Sequence, residues 1–392
     1  MYAKETLIFR SGGRSNYRIP SMLATGSGTF LALCTDRKDT LSDAAPEKTL
    51  VLCKKRPGED WGKVETLLEL EGWSCGLGGA VYDEEKDTVI IFGDRQAVTS
   101  AEFKEYTKEE AENMKRLAKE KAEALGINNG HVRLISTDGG ETFTETPHTV
   151  TPVEHLHIDG KTYSVTGRVS SGSHGIQLRH GVHKGRLLVP TRTNIWKYND
   201  WIGIRQCTYN NSIWSDDHGE TWHTSDCVQV GTGEGTLIEN ADGTITYNSR
   251  AYFADQKRYL ATSDDGGETY GNFRCDDFLI EEKRMGCQAS FIRVELDDIK
   301  DGSILPDGAK DVTVFCNPRS ETRSNMCACV SFDSGKTWSR VKVINAGKNA
   351  YSALVFNKVT QTFVLLYEKG DKNCYSYGVA ALEFDLEWLL SE

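Results

Sequence analysis

STDGGETF, at residues 136–143, returns three more times along the chain, as SDDHGETW at 215–222, SDDGGETY at 263–270 and SFDSGKTW at 331–338. The shared pattern is S-x-D-x-G-x-T-aromatic. In this phrase the aspartate accepts backbone N–H bonds, the glycine takes a positive φ and the aromatic side chain packs into the core. Each copy therefore predicts a tight turn between two antiparallel strands. A fifth copy, KKRPGEDW at 54–61, keeps only the glycine and the tryptophan.

Asp-x-Gly runs also occur in calcium-binding loops, so a calcium site is the alternative interpretation of the phrase. The bidentate glutamate that completes a helix–loop–helix calcium site is missing after each copy. We therefore interpret the repeats as structural turns.

The spacing of the copies indicates the size of the repeated unit. Their starts lie roughly 50 to 80 residues apart, which suits one four-stranded sheet per copy and is too long for a helical solenoid. Apolar runs such as IPSMLAT, TFLALCTDR, KTLVLCKKR and VETLLEL supply the four strands of the first sheet. Six such sets can be read along the chain, and the N-terminal KETLIF is free to pair with the last strands and close a ring.

The sequence thus predicts an all-β fold, a six-bladed β-propeller of four-stranded antiparallel blades, in one domain over residues 1–392. One segment breaks the pattern. Residues 100–126 are rich in Ala, Glu and Lys, with Met114, Leu117 and Leu125 at roughly helical spacing and Gly126 as a stop. We expect a helical insertion there, between the second and third strands of the second blade.

Charge and composition exclude several classes of function. The net charge of −11 argues against nucleic acid or an anionic membrane as a partner, because phosphate binding needs a basic face. An anionic substrate must instead be held by a local cluster of arginines. The N-terminal MYAKETLIFRSGG has no apolar leader region, and no stretch approaches the roughly 18 apolar residues of a membrane span.

Cysteine and histidine usage points away from metals and disulfides. The 11 cysteines are scattered, without a CxxC pair, and favour reduced thiols in the core of a cytoplasmic protein. His131, His174 and His180 match no ligand spacing, so we predict no metal and no cofactor.

NYRIP at 16–20, taken together with the four turn phrases in this order, resembles the sialidase family, and the resemblance covers essentially the whole chain. It implies an exo-α-sialidase that removes terminal sialic acid from sialylated glycans with retention of configuration. It also implies that Arg18, Arg250 and Arg323 bind the substrate carboxylate. Arg319, four residues before Arg323, is the nearby alternative for the third arginine.

The resemblance assigns the remaining roles as well. Asp43, which follows Arg37 in DRKDTLSDAAP, matches the acid/base aspartate of the family, and Arg37 is included among the predicted substrate-binding residues. Tyr351 in NAYSALVF matches the nucleophile, and Glu234 matches the glutamate that activates it. Glu368 in LLYE matches the carboxylate that orients the first arginine.

The predicted topology gives independent support for this set. In a propeller blade the turn between the third and fourth strands lies on one face, so the second-to-third connections and the starts of first strands lie on the other. The predicted residues fall at those two kinds of position: Arg18, Glu234, Tyr351, Asp43, Arg250, Arg323 and Glu368. We therefore expect all of them to meet on the face opposite the repeated turns.

The residue types suit a sugar acid. Three guanidiniums can hold a carboxylate with bidentate, charge-assisted bonds that also fix its orientation. A carboxylate nucleophile would approach that anion against repulsion, whereas a neutral phenol avoids it if a base takes the proton as the bond forms. Sialidases are a known tyrosine exception among glycosidases.

Four alternatives remain open at this point. The enzyme could be a trans-sialidase, or it could act on a related nonulosonic acid such as the deaminated sugar. A sialic-acid-binding propeller without turnover would need the arginines but not Asp43, Glu234 or Tyr351. The last alternative is a purely structural or protein-interaction propeller, which converging arginines argue against.

Overall fold

The computed structural model of the chain describes residues 1–43, 45, 47–70, 73–96, 113, 116, 120, 123–124, 126, 130–158, 161–169, 172–194, 208–253 and 255–392. The side chains of residues 154–158, 161–163, 173 and 194 lie outside this description. Most of the predicted insertion at 100–126 also lies outside it, although the five described positions 113, 116, 120, 123 and 124 are helical.

Almost every described element is a β-strand. The first half of the chain forms β1 (Ala3–Arg10), β2 (Ser15–Ala24), β3 (Phe30–Lys38), β4 (Lys48–Lys55), β5 (Val64–Leu68), β6 (Ser74–Asp83), β7 (Thr88–Gln96), β8 (Gly130–Ser136), β9 (Thr144–Thr146), β10 (Val150–Thr151), β11 (Val153–Ile158), β12 (Lys161–Val165), β13 (Ser173–His174), β14 (Ile176–Gln177) and β15 (Leu187–Asn194). The second half forms β16 (Thr208–Ser215), β17 (Trp222–Thr224), β18 (Thr232–Glu239), β19 (Ile245–Ala251), β20 (Lys257–Ser263), β21 (Gly271–Ile280), β22 (Ser290–Glu295), β23 (Asp311–Pro318), β24 (Ser324–Ser331), β25 (Arg340–Asn357), β26 (Thr362–Gly370) and β27 (Gly378–Phe384).

Helix is confined, in the second half of the described chain, to two short pieces. A 3₁₀ turn spans Leu296–Asp298, and helix α1 spans Leu386–Leu390. The Asp385 side chain accepts a hydrogen bond from the Trp388 amide and so caps the start of α1. No helix among the described residues has the length and apolar character needed to cross a membrane.

Strands that follow one another along the chain pair antiparallel. The runs are β2-β3-β4-β5, β6-β7-β8-β9, β14-β15-β16-β17 and β18-β19-β20-β21. A fifth run, β22-β23-β24-β25, continues into β26 and β27, because the 18-residue β25 pairs with β24 through its first half and with β26 through its second. This succession of antiparallel sheets is a β-propeller.

The N-terminal strand β1 closes the arrangement by pairing antiparallel with β27, from the last part of the chain. The Glu5 side chain, on β1, accepts a hydrogen bond from the Tyr367 hydroxyl, and Lys369 forms an ion pair with the same carboxylate. The predicted pairing of KETLIF with the C-terminal strands is therefore confirmed.

Apolar side chains from neighbouring sheets form the core. One cluster joins Phe9, Met22 and Phe30 to Val355 and Val364, near the two ends of the chain. A second cluster packs Val81 and Ile90 against Val189, Ile213 and Trp222 from the following sheet. Because each inner face is covered by the next sheet, every sheet helps to position the strand ends of its neighbour.

The repeated phrases lie where they were predicted, each between a third strand and a fourth. In the copy after β20, the Asp265 carboxylate accepts hydrogen bonds from the Ser263 hydroxyl (2.7 Å), the Glu268 amide (3.0 Å) and the Thr269 amide (3.0 Å). The other three aspartates of the phrase accept equivalent bonds from their serine and threonine. The interpretation of the phrase as a structural turn is confirmed.

These hydrogen bonds should contribute to the stability of the fold. Replacing Asp265 by alanine leaves turn amides without their acceptor, and we expect the free energy of unfolding to fall by about 2 kcal/mol. The neighbouring Asp264 is exposed and has no hydrogen-bond or ionic partner in the described chain, so Asp264→Ala is the matched control and should be nearly neutral. Urea denaturation of both variants measures the difference. Equal midpoints for the two would contradict the assignment.

Ten of the 11 cysteines belong to the described residues, and all ten are free thiols. Seven of these ten are buried, which agrees with the predicted position of the thiols in the core.

Candidate active site

Arg18, near the start of β2, is held by a buried carboxylate from the other end of the chain. Its Nε donates to Glu368 Oε1 at 2.5 Å, and the Ile19 amide donates to the same oxygen at 2.9 Å. Ile19 takes φ +62°, a region that β-branched residues rarely adopt, inside a bulge of β2. Glu368 thus holds both the guanidinium of Arg18 and the strained backbone beside it.

Glu234 sits on β18 between two glycines that the packing requires. A Cβ on Gly233 would lie 2.0 Å from the Tyr252 hydroxyl, and a Cβ on Gly235 would lie 2.2 Å from the Tyr247 ring. Only glycine therefore permits these rings to press against the strand on both sides of Glu234. The motif GEG therefore places the buried Glu234 carboxylate on a strand segment that two tyrosine rings pack against.

Tyr351, on β25, joins this carboxylate to an arginine. Its hydroxyl donates to Glu234 Oε1 at 2.6 Å and accepts from Arg250 Nη1 at 2.8 Å, while Arg250 Nη1 also forms an ion pair with Glu234 Oε2. The Tyr351 amide donates to Glu368 Oε2 at 3.1 Å. The two buried glutamates therefore hold the tyrosine by its backbone and by its phenol.

Three arginines surround the Tyr351 ring. The guanidinium carbons of Arg323, Arg18 and Arg250 lie 5.4, 5.6 and 5.9 Å from its centroid. Arg319 instead packs on Phe278, 4.7 Å from that ring, and donates to the Phe278 carbonyl. Of the two alternatives for the third position, Arg323 is the one beside Tyr351.

Asp43 and Arg37 lie together at the open side of this group. Arg37 is buried and forms an ion pair with Asp43 Oδ1 at 2.8 Å, whereas the Asp43 side chain is 88% exposed. Lys48 Nζ donates to the Asp43 backbone carbonyl at 2.6 Å. Asp43 is thus the accessible carboxylate among the predicted site residues, and Arg37 and Lys48 hold it in place.

The charges around Tyr351 do not balance. Four of the predicted side chains are guanidiniums and three are carboxylates, which leaves one positive charge in excess. Arg323 accounts for the surplus, since its guanidinium donates to the Gly286 carbonyl (3.4 Å) and forms an ion pair with no carboxylate of the described residues. The group is therefore ready to receive one anion.

The protonation states follow from burial and from these charges. Burial and the adjacent Glu234 carboxylate raise the pKa of Tyr351 above its ordinary value, so the phenol is neutral. Burial also opposes ionisation of Glu234, but the guanidiniums of Arg250 and Arg192 outweigh it and lower the pKa of this carboxyl. A neutral phenol consequently donates its hydrogen bond to an ionised carboxylate, which can accept the proton.

Tyr375 contacts Arg18, and the sequence did not predict this contact. Its ring covers the face of the Arg18 guanidinium, with the guanidinium carbon 3.9 Å from the ring centroid. The stretch DKNCYSYG around it has no motif or periodic pattern, so nothing in the sequence singles out this tyrosine. Stacking leaves the edge of Arg18 as the part that can bind an anion.

A cavity of about 230 Å³ lies at the opposite ends of the inner strands, lined by residues such as Thr25, Glu239 and Asn357. The predicted residues do not line it. The described residues contain no group of three or more His, Cys, Asp or Glu side chains arranged to hold a metal ion.

Comparison with known proteins gives one family and several relatives. A family model described as a BNR repeat-like domain matches residues 121–366. The chain is 30% identical over 381 residues to a sialidase of Micromonospora viridifaciens, covering 96% of this chain and 52% of that protein. It is 27% identical over 237 residues to Sialidase-3 of Mus musculus, covering 52% of this chain and 55% of that protein. The chain thus spans about half the length of these curated relatives.

Among solved structures, the intramolecular trans-sialidase of Ruminococcus gnavus in complex with oseltamivir carboxylate superposes with a TM-score of 0.71. The match covers 98% of both chains at 16% sequence identity, so it concerns the fold alone.

Proposed function

Because the chain belongs to the sialidase family and carries its BNR repeat-like domain, we propose that it is an exo-α-sialidase acting on terminal α-linked sialic acid of glycoconjugates. The substrate is held through its carboxylate, and hydrolysis proceeds with retention of configuration. The single observation that supports this most strongly is the set of three guanidiniums around one phenol, 5.4 to 5.9 Å from its ring.

In the proposed reaction the phenol oxygen of Tyr351 attacks the anomeric carbon while its proton passes to Glu234. Asp43 protonates the glycosidic oxygen as that bond breaks, which leaves a tyrosyl–sugar intermediate. Asp43 then takes a proton from water, and the water oxygen attacks the anomeric carbon as the bond from this carbon to the Tyr351 oxygen breaks. The released phenolate recovers its proton from Glu234. Two displacements at one carbon give net retention.

The arginines have a separate task in this scheme. Arg18, Arg250 and Arg323 bind the carboxylate that sits on the anomeric carbon, so the group that identifies the sugar also orients the reacting bond. Glu368 keeps Arg18 in place, and Arg37 anchors Asp43 through the 2.8 Å ion pair.

A six-bladed division of the propeller is part of the proposal. Four blades correspond to the runs β2–β5, β6–β9, β14–β17 and β18–β21. The fifth takes β22–β24 with the first half of β25, and the sixth takes the second half of β25 with β26, β27 and β1. Each blade then has four strands, and the chain termini complete the last one.

Activity on a fluorogenic aryl α-sialoside, with the released sugar analysed by NMR, tests the function. We expect free sialic acid with initial retention, and no requirement for added metal. A transferred or internally anhydro product would assign the enzyme to the trans-sialidases instead, and binding of sialic acid without turnover would overturn the enzymatic proposal.

The pH profile tests the role of Asp43, which must be protonated to act as an acid. Partial desolvation by the neighbouring side chains acts to raise the pKa of Asp43, but the guanidiniums of Arg37 and Arg18 outweigh it and hold that pKa below its ordinary value. Arg37→Met removes the nearer cation, so the pKa of Asp43 should rise. The alkaline limb of kcat/KM should then move to higher pH, because the acid loses its proton later.

Lys48→Met is the control for this experiment. The Lys48 ammonium donates to the backbone carbonyl of Asp43 and not to its carboxylate, and it lowers the pKa of Asp43 less than Arg37 and Arg18 do. It should move the limb in the same direction but by less. An alkaline limb that stays in place in Arg37→Met would exclude Asp43 as the acid.

A further inference from the structure

Three consecutive carbonyl groups, those of residues 285–287, each accept a hydrogen bond from a different arginine. Arg250 Nε donates to the Met285 carbonyl at 2.7 Å, and Arg323 Nη2 donates to the Gly286 carbonyl at 3.4 Å. Arg258 Nη1 donates to the Cys287 carbonyl at 2.8 Å. Two of these arginines, Arg250 and Arg323, are proposed to bind the substrate carboxylate. Residues 285–287, called here the 285–287 segment, therefore contact two of the three arginines proposed for that role.

The third arginine belongs to a fully buried ion pair. Arg258 is 0% exposed and its Nη1 lies 2.7 Å from Glu281 Oε2, while Glu281 is 1% exposed. Arg258 Nε also donates to the Asn248 side chain at 2.7 Å, and its guanidinium lies 5.4 Å from the Phe315 ring. Both side chains are buried away from solvent, so neither can contact a bound substrate.

Glu281 connects the segment to the strand that carries Arg250. Its Oε1 accepts from the amide of Ala251, the residue after Arg250, at 3.2 Å. Its Oε2 accepts from the Cys287 amide at 3.4 Å. One carboxylate therefore fixes the distance between the backbone of Arg250 and the segment that its guanidinium binds.

The fit between the segment and Glu281 is close. Gly286 takes φ +61°, and a Cβ at this position would lie 2.5 Å from Glu281 Oε1. Glycine is needed here for the left-handed backbone and for the approach to the carboxylate. A displaced carboxylate would thus move the segment, and with it the acceptors of Arg250 and Arg323.

Stability alone does not account for such a pair. A buried ion pair can often be replaced by apolar side chains of the same volume without loss of stability, because desolvation opposes the attraction between the charges. We propose that Arg258 and Glu281 are positioning residues, which set the placement of Arg250 and Arg323 through the 285–287 segment and so govern affinity for the substrate carboxylate. This inference rests on the proposed function of those two arginines.

The main variant is Glu281→Gln, which keeps the side-chain shape but removes the charge that holds Arg258. The matched control is Asp311→Asn, because Asp311 is also fully buried and paired, with Arg293 at 3.0 Å, but bonds to Ser334 of a repeated turn at the other end of the sheet. Both variants should lower the melting temperature. Only Glu281→Gln should raise KM for the aryl sialoside, by at least about tenfold with kcat changed less than about threefold, since the carboxylate is bound in both ground and transition states.

Two further variants separate positioning from loss of folding. Gly286→Ala should raise KM like Glu281→Gln, because its Cβ forces the segment and the Glu281 carboxylate apart while both charges of the ion pair are retained. The double variant Arg258→Met with Glu281→Leu should recover much of the melting temperature but keep the high KM. Recovery of both would show that the pair is merely structural and would overturn the proposal.

A measurement without substrate keeps this test independent of the enzymatic activity. In protein labelled with ¹⁵N-arginine, the Nε–Hε signal of Arg250, assigned by Arg250→Lys, reports the bond to the Met285 carbonyl. It should shift and exchange faster with water in Glu281→Gln and Gly286→Ala but not in Asp311→Asn. An unchanged signal in the first two overturns the inference even if the wild type is active, whereas an inactive wild type with a shifted signal refutes only the proposed function.

Discussion

Replacing Tyr351 by phenylalanine is expected to lower kcat on an aryl α-sialoside by at least about 10³-fold, because removing the nucleophile of an enzyme typically costs this much activity. The ring remains, so the three guanidiniums keep their packing around it. Binding of sialic acid, measured by calorimetry, should therefore be largely retained. Loss of turnover with retained binding is the pattern expected of a nucleophile rather than of a binding residue.

The control for this variant is Tyr270→Phe. Tyr270 is a partly buried tyrosine whose hydroxyl bonds to Ser212 in a different part of the fold, at the end of a repeated turn phrase. Its loss should cost some stability and leave kcat unchanged. Wild-type turnover in Tyr351→Phe would reject Tyr351 as the nucleophile and favour direct attack by water.

Replacing Arg250 by methionine is expected to lower kcat/KM by about 10³-fold, because truncating one partner of a buried, hydrogen-bonded charge pair costs on the order of 2–5 kcal/mol of binding free energy. The change removes one of the three guanidiniums that are proposed to bind the substrate carboxylate. It also removes the cation that offsets the burial of Glu234, so the pKa of that carboxyl should rise. Glu234 would then be ionised only at higher pH, and the acidic limb of kcat/KM should move upward.

Arg319→Met serves as the neighbouring control, since Arg319 stacks on Phe278 away from Tyr351. It should leave both kcat/KM and the pH profile near those of the wild type. A wild-type acidic limb in Arg250→Met would mean that Glu234 does not act as the base.

The parts of the fold that could be predicted from sequence are those fixed by local chemistry. The Asp265 carboxylate has all of its hydrogen-bond partners within four residues of itself, so its turn can be predicted without the rest of the chain. The pairing of β1 with β27 was predictable because a ring leaves no other partner for an apolar first strand. The division of β25 between two sheets was not, since an 18-residue strand has no internal signal at the point where its partner changes.

The candidate site shows the same limit. Arg18 and Glu234 could be singled out because motifs surround them, but the choice between Arg319 and Arg323 depended on the Phe278 ring, which is distant in sequence. Tyr375 and Glu281 were missed for the same reason. Their significance comes from contacts with Arg18 and with residues 285–287, and neither contact leaves a pattern in the nearby sequence.

The pairing of Ala3–Arg10 with Gly378–Phe384 has a consequence for biosynthesis. Strand β1 leaves the ribosome more than 360 residues before β27, and at ordinary elongation rates this interval lasts on the order of tens of seconds. Through that interval the nascent chain presents an unpaired edge to other chains. Chaperone dependence and co-translational aggregation should therefore fall sharply only once β27 has left the exit tunnel.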